Sequence, residues 1–340
     1  MKRIMTVLIL LVLAALPGRA FASGLCCQLS SGVQETLSGV ASPGAQNISL
    51  QFNYSFTVMD KLRQGTATRP VGEVKNEGKY TVIPTRMEMT KYSLTAAYGF
   101  SPRLSVFVTV PYIRNTMDME MFMSMGMGMA PQWMEHQMEP VKGLGDVTAM
   151  GLYRIYTDND AYPRDTLTVG LGVKTPTGSY TETNSSGKYI HAHMQPGTGS
   201  WDPLVSVIYA KMMNPFLFQA DATYQITTRN SKGYEFGDSL AANLLGKYGI
   251  SRYFNVTGGF TFLHVNKATD EDGNYTNLAS VMDDPANTGG DSLWFSPGVQ
   301  ILPIRNSMID LRVQLPVWEH ANGIQLVSSY MILVGISYSF

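Results

Sequence analysis

The sequence predicts an all-β protein, a transmembrane antiparallel up-and-down β-barrel of about 12 strands with both termini periplasmic, and three observations predict it. Apolar and polar residues alternate with period two along most of the chain. Long and short connections take turns between the alternating segments. The chain opens on an export signal and closes on an aromatic residue at the end of an alternating run.

The N-terminus comes first. Lys2 and Arg3 are followed by an apolar run from Ile4 to Leu16, a Pro17-Gly18 break and the small-residue pattern Ala20-Phe21-Ala22. This is the pattern of a secretory signal peptide over residues 1–22. The run is too short for a spanning helix, which needs roughly 20 apolar residues. Residues 23–46 then form a periplasmic segment ahead of the barrel at 47–340. Cys26 and Cys27 lie in that segment. In an oxidising compartment they pair with another chain, form a vicinal bond, bind a soft metal or have no defined role.

Within 47–59, Ile48, Leu50, Phe52, Tyr54, Phe56 and Val58 alternate with Ser49, Gln51, Asn53, Ser55 and Thr57. A helix would need apolar residues three and four apart. A membrane barrel strand turns one set to lipid and the other to the lumen. The pattern returns at 215–228 and 307–318. Further segments are read at 85–100, 103–114, 144–157, 165–175, 201–212, 238–250, 252–265, 292–302 and 326–340, with the alternation blurred in 144–157 and 201–212.

The connections Ser101-Pro102, 158–164, Asn214, Ser251 and 303–306 are short. Those at 60–84, 115–143, 176–200, 229–237 and 266–291 are long, and 319–325 completes that set. Short periplasmic turns facing long outer loops are the layout of an outer-membrane barrel. An even strand number leaves no edge unpaired in lipid. A secreted β-sandwich has no need of this asymmetry. At the end, Tyr330, Ile332, Val334, Ile336, Tyr338 and Phe340 share one face. Such an ending resembles the signal read by the outer-membrane assembly machinery, an expected partner alongside outer-membrane lipid.

Charge excludes one class. Removing Lys2, Arg3 and Arg19 with the signal leaves 22 basic against 26 acidic residues, a net −4. No basic track fits a phosphate backbone, so nucleic acid is not an expected partner.

Three short motifs stand in order: Lys142-Gly143-Leu144-Gly145-Asp146-Val147, Lys174-Thr175-Pro176-Thr177-Gly178 and Gly197-Thr198-Gly199-Ser200-Trp201-Asp202. Their glycines and proline read first as strand ends and turns at the outer rim. Together with Asn322-Gly323-Ile324-Gln325, this order resembles the outer-membrane transporter-like family named for the meta-cleavage pathway of phenol degradation. The resemblance covers most of the mature chain. It implies a barrel that passes small, often hydrophobic or aromatic, molecules.

The segment 115–143 is unusual. Met117, Met119, Met121, Met123, Met125, Met127 and Met129 alternate without a break, followed by Met134, His136 and Met138. If extended, the seven alternating side chains share one face. Met87 and Met89 fall beside residues 115–117 in the expected hairpin, giving a patch above the membrane, to which His191, His193 and Met194 add. Three readings stand. Soft thioethers with an imidazole capture Cu(I) or Ag(I). Adaptable Met side chains greet hydrophobic solutes. Or the loop is low-complexity sequence with no selected role. No cofactor is required by any of them.

Charges expected to line the pore are Lys91, Asp146, Arg154, Lys174, Asp221, Lys247, Asp310 and Arg312. Opposed charges in a narrow pore select by charge and size, or simply neutralise one another. Twelve strands enclose less space than a 16- to 18-stranded porin. Catalysis would need a nucleophile with a base and an orienting group. The five histidines, His136, His191, His193, His264 and His320, have no such companions in sequence, and no Gly-x-Ser-x-Gly elbow occurs. The reading is therefore a non-enzymatic outer-membrane channel for a small molecule or a metal solute. A surface receptor or metal-binding barrel without transport, and a barrel hydrolase, are the alternatives.

Overall fold

The computed structural model describes residues 46–124, 130–160 and 162–340. The signal expected at 1–22, the segment from residue 23 to 45 with Cys26 and Cys27, and Met125, Met127 and Met129 lie outside the described residues.

Period-two alternation becomes a sheet with inverted burial. In β1 (Ile48–Gly65), Ser49, Gln51, Asn53, Ser55 and Thr57 are buried, whereas Leu50 and Phe52 are exposed. The same inversion runs through β2 (Val82–Gly99), where Lys91, Ser93 and Thr95 are buried and Tyr92 and Leu94 exposed. A water-soluble protein sorts its residues the other way. The outer face of this sheet is therefore built for hydrocarbon, and the enclosed face for polar contact.

The hairpin continues with β3 (Leu104–Met123). Three pieces then pair with β3 in turn: β4 (Gln132–Gln137), β5 (Val141–Leu144) and β6 (Thr148–Thr157). β7 (Asp165–Lys174), β8 (Asp202–Met213), β9 (Phe216–Gln225), β10 (Ser239–Ser251) and β11 (Phe254–Val265) follow, each antiparallel to the one before. β12 (Gly290–Phe295) and β13 (Gly298–Ile301) both pair with β11. β14 (Ser307–Ser339) pairs with β12 and β13 through its early residues, and with β1 through its later ones. The ladder thus returns from the last strand to the first.

Most expected segments match within a few residues. The differences have causes. β1, β2 and β3 run on to Gly65, back to Val82 and out to Met123, beyond the expected limits. Met117-Asp118-Met119-Glu120-Met121 is itself period two, and it pairs with residues 82–87 of β2 rather than forming a loop. The two segments expected at 307–318 and 326–340 appear as one extended run. It turns at Gly323, whose φ of +89° suits glycine, and where a Cβ would meet Asn287 Oδ1 at 2.5 Å. Among the described residues the only α-helix is the short α1 (Val71–Asn76). No described helix is long and apolar enough to cross a membrane, which says nothing of strands.

Candidate functional site

At the long-loop end the enclosed face changes character. Six of the fourteen buried residues in one apolar cluster are methionine: Met59, Met87, Met89, Met117, Met119 and Met194. Strand register builds it. Met59 lies opposite Met87, and Met87 opposite Met117, a row of three thioethers across β1, β2 and β3. Val74 of α1 and Ile324 and Leu326 of β14 complete the walls. The roof comes from two loops. Asn115 donates to the Met194 carbonyl at 3.1 Å and ties down the loop after β7. Val281 donates from its backbone to the Val82 carbonyl at 3.0 Å and ties down the loop after β11. Tyr80 reinforces that second loop by donating to Asp284 at 3.0 Å and accepting from Asn287 at 2.9 Å.

Under the roof is a cavity of about 40 Å³, lined among others by Met59, Met87, Met117, Met282, His191 and His193. The two imidazoles stack with centroids 4.9 Å apart. His191 Nδ1 sits 2.9 Å from Asp283 Oδ1. A carboxylate only accepts, so in the neutral ring Nδ1 carries the hydrogen and Nε2 keeps its lone pair. His193 is buried, with Phe236 edge-on at 5.2 Å. Burial, then the neighbouring His191, holds its pKa well below 6.5, so the ring is neutral at physiological pH. Among the described residues no three His, Cys, Asp or Glu side chains are grouped to hold a metal ion. The donors gathered here are mostly thioethers.

This placement corrects the picture of one open methionine face. Met117 and Met119 are 3% and 5% exposed, turned into the cluster because the two loops roof the β2–β3 hairpin. Met121 and Met138 pack partly against the cluster, and Met134 is half-buried opposite Met121. Only Met123 and His136 of the described set are exposed. Met59, Met282 and Asp283 were not singled out in the sequence. No local spacing signals them, because they arrive from strands and loops far apart in the chain.

The expected pore charges divide. Lys91, Asp221, Asp310 and Arg312 are buried on the enclosed face, with Lys247 half-buried. Arg312 Nε donates to Asp310 at 2.8 Å, and Gln300 donates to Asp310 at 2.7 Å. Asn243 and Gln219 donate to Asp221 at 2.7 and 3.0 Å. Arg154 differs: it donates to the Pro102 carbonyl at 3.0 Å and so serves the short turn between β2 and β3.

Asp146 and Lys174 belong to a separate assembly made by the three sequence motifs. Asp146 accepts from the Gly178 backbone at 2.9 Å, the Thr198 backbone at 2.8 Å and the Thr198 hydroxyl at 2.7 Å. Lys174 Nζ lies 2.6 Å from Asp202, which is fully buried, and 3.7 Å from Asp146. The backbones press together: a Cβ on Gly197 would lie 2.5 Å from the Gly178 carbonyl. The motifs are thus one interlocked unit at the base of the loop that carries His191, His193 and Met194. Asp202 is its missed member, legible in the third motif but not weighed as a partner.

Elsewhere His264 Nδ1 lies 2.6 Å from Asp291, a pairing that sequence separation hides. The hydrogen bonds of His191 and His264 among the described residues run to Asp283, Asp291 and Asn266, and to no Ser, Thr or Cys.

An antiparallel ladder that returns to its first strand, apolar outside and polar inside, is the architecture of outer-membrane β-proteins. The family described as "Putative MetA-pathway of phenol degradation" matches residues 119–324, more than half of the chain, and the chain belongs to that family. No curated protein matches the sequence. Among solved structures the chain is similar to an outer-membrane channel from Pseudomonas putida F1, with 12% identity over 88% of this chain and 97% of that one, at a TM-score of 0.55. That likeness concerns the fold. A Pseudomonas aeruginosa FadL homologue matches at 10% identity, over 87% of this chain and 90% of that one, with a TM-score of 0.43. The P. putida toluene transporter TodX matches at 10%, over 89% and 91%, with a TM-score of 0.44. At those scores neither bears on function here.

Proposed function

We propose that this chain is a twelve-stranded outer-membrane barrel that passes a small apolar solute, with both termini in the periplasm and the signal removed after Ala22. Strand count follows from taking β4 to β6 as one wall element, β12 and β13 as another, and the two arms of β14 as a closing hairpin. The orientation follows from the short turns at one end and the long loops at the other. Phe340 closes the final strand as the residue offered to the assembly machinery.

The observation that carries the reading is the apolar, methionine-rich cluster set across the mouth, above an enclosed face that also carries buried polar and charged side chains. A general porin for sugars or ions has no use for a dry plug there. Met is unbranched and repacks readily. The cavity, about 40 Å³, is well below the roughly 150 Å³ that holds a benzene in a protein core. Entry of an aromatic solute therefore requires the Met59–Met87–Met117 row to repack, which makes the cluster both a selective sieve and a gate. Below it, Asp221, Asp310 and Arg312 are held by hydrogen bonds on the enclosed face.

Vesicles containing the folded protein test the idea. Uptake of a monoaromatic hydrocarbon is expected to outpace that of protein-free vesicles, while a small sugar is excluded. Equal passage of both, or of neither, sinks the channel reading. Release of ester or peptide products by the same preparation would instead favour a rim hydrolase.

A further inference from the structure

We propose that the mouth cavity is a binding site for a soft monovalent cation, Cu(I) or Ag(I), formed by the thioethers of Met59, Met87, Met117 and Met282 and the imidazole of His191. This goes beyond the channel reading and stands without it.

Two independent observations meet there. The first is the ligand chemistry. Thioether sulfur is soft and selects Cu(I) or Ag(I) over the hard ions that dominate outside the cell. Four methionines, from three adjacent strands and a loop, line one small cavity. None of them is required for closing the sheet, because pairing there is backbone to backbone. An apolar plug could have used Leu or Ile, which pack with better-defined rotamers.

The second observation is the orientation of His191. Metal-binding imidazoles commonly donate their second ring hydrogen to a carboxylate, which fixes the tautomer and raises the basicity of the ligating nitrogen. Asp283 does this for His191 Nδ1 at 2.9 Å, and the ring lines the cavity. His193 stacks on His191 with ring centroids 4.9 Å apart and packs the far side of that ring. The size also fits. A cavity of about 40 Å³ is too small for a hydrocarbon ring but ample for a bare ion, since one water needs roughly 10–15 Å³ by this measure.

The site is distinct from the alternating methionines from Met123 onward. Met123 is exposed, and Met125, Met127 and Met129 lie outside the described residues. The test separates the two. The folded full-length protein is titrated with Ag(I) by calorimetry, and with Cu(I) against a chromophoric chelator under reducing conditions. One variant carries Met87→Leu, Met117→Leu and Met282→Leu. A second carries Met282→Leu and His191→Gln, both in loops outside the sheet, so the wall is untouched. A third carries Met123→Leu, Met125→Leu, Met127→Leu and Met129→Leu. Heat-modifiable electrophoretic mobility reports folding of each. The expected result is one tight ion per chain, weakened at least tenfold in the first and second variants and unchanged in the third. X-ray absorption at the copper edge should show sulfur together with nitrogen. The proposal is overturned if the parent binds neither ion, if the second variant binds as the parent does, or if only the third variant loses binding.

Discussion

The lower wall and the outer mouth of this molecule are built from the same strands, yet their enclosed faces are opposite in character. On β2, Lys91, Ser93 and Thr95 point inward and are buried; a turn further up, Met87 and Met89 point inward and are buried too. On β3, Thr109 and Asn115 give way to Met117 and Met119 in the same way. Period two fixes which residues face inward in both regions. It does not fix what inward means. In the wall the hydrophobic gain lies outside, against lipid, and enclosed pairs such as Thr95 and Thr109, 2.8 Å apart, hydrogen-bond to one another. In the mouth there is a dry core of the ordinary kind, where burying one large side chain stabilises by about 1.5–3 kcal/mol. The change of sign along a single strand separates a scaffold from a site.

The sharpest way to break the mouth while sparing the wall is Asp146→Ala. Its carboxylate holds Gly178 and Thr198, and it stands beside the Lys174–Asp202 pair at the base of the loop carrying His191, His193 and Met194. Removing one member of a buried charged group typically costs about 3–5 kcal/mol. The expected outcome is a folded sheet with a released roof. Planar-bilayer conductance should rise and the loop after β7 should become open to protease, while circular dichroism of the strands stays unchanged. A quiet channel with an intact loop would show that the motif unit does not hold the roof.

The reciprocal experiment breaks the wall and spares the mouth. Leu94 is exposed on the outer face of β2, between inward Ser93 and Thr95. Arginine on the lipid face near the bilayer midplane costs about 2–4 kcal/mol. Leu94→Arg should therefore lower the unfolding free energy, read from urea titration in vesicles, by about that amount, whereas Thr95→Val on the enclosed face should change it far less. Equal effects at the two positions would contradict the assigned inside and outside.

Much of the wall was legible in the sequence because alternation is a local property. Ser49 to Val58 announces its own two faces. The strand extensions were misassigned because the alternating methionines read as a loop once they passed the expected membrane limit; the pairing of Met119 with Pro84 shows that the strand carries on. The mouth was half legible. The unusual methionines were found, but their burial depends on two loops folding back over them from far along the chain, the nearer tied down across 79 residues. His191 with Asp283, and Lys174 between Asp146 and Asp202, are contacts of that long-range kind. Composition names such residues as candidates, and only the closed ladder makes them neighbours.

The smallest effect belongs to an exposed turn at the short-turn end. Asp158 begins the turn between β6 and β7, and its carboxylate accepts the backbone hydrogens of Arg164 at 2.8 Å and Asp165 at 3.0 Å. Those backbone bonds, Asp165 first and Arg164 next, hold its pKa below the ordinary 3.8. A carboxyl whose folded pKa is depressed contributes stability that is complete above its unfolded value and is lost as pH falls through the folded one. Asp158→Asn keeps an acceptor oxygen but removes the charge. The parent should therefore be slightly more stable than the variant at neutral pH, and the two should converge as the pH is taken below about 3.8. Urea titrations in vesicles at several pH values measure the gap. A difference that survives into acid would mean that the asparagine disturbs turn geometry, and that charge has no part in pinning this end of the wall.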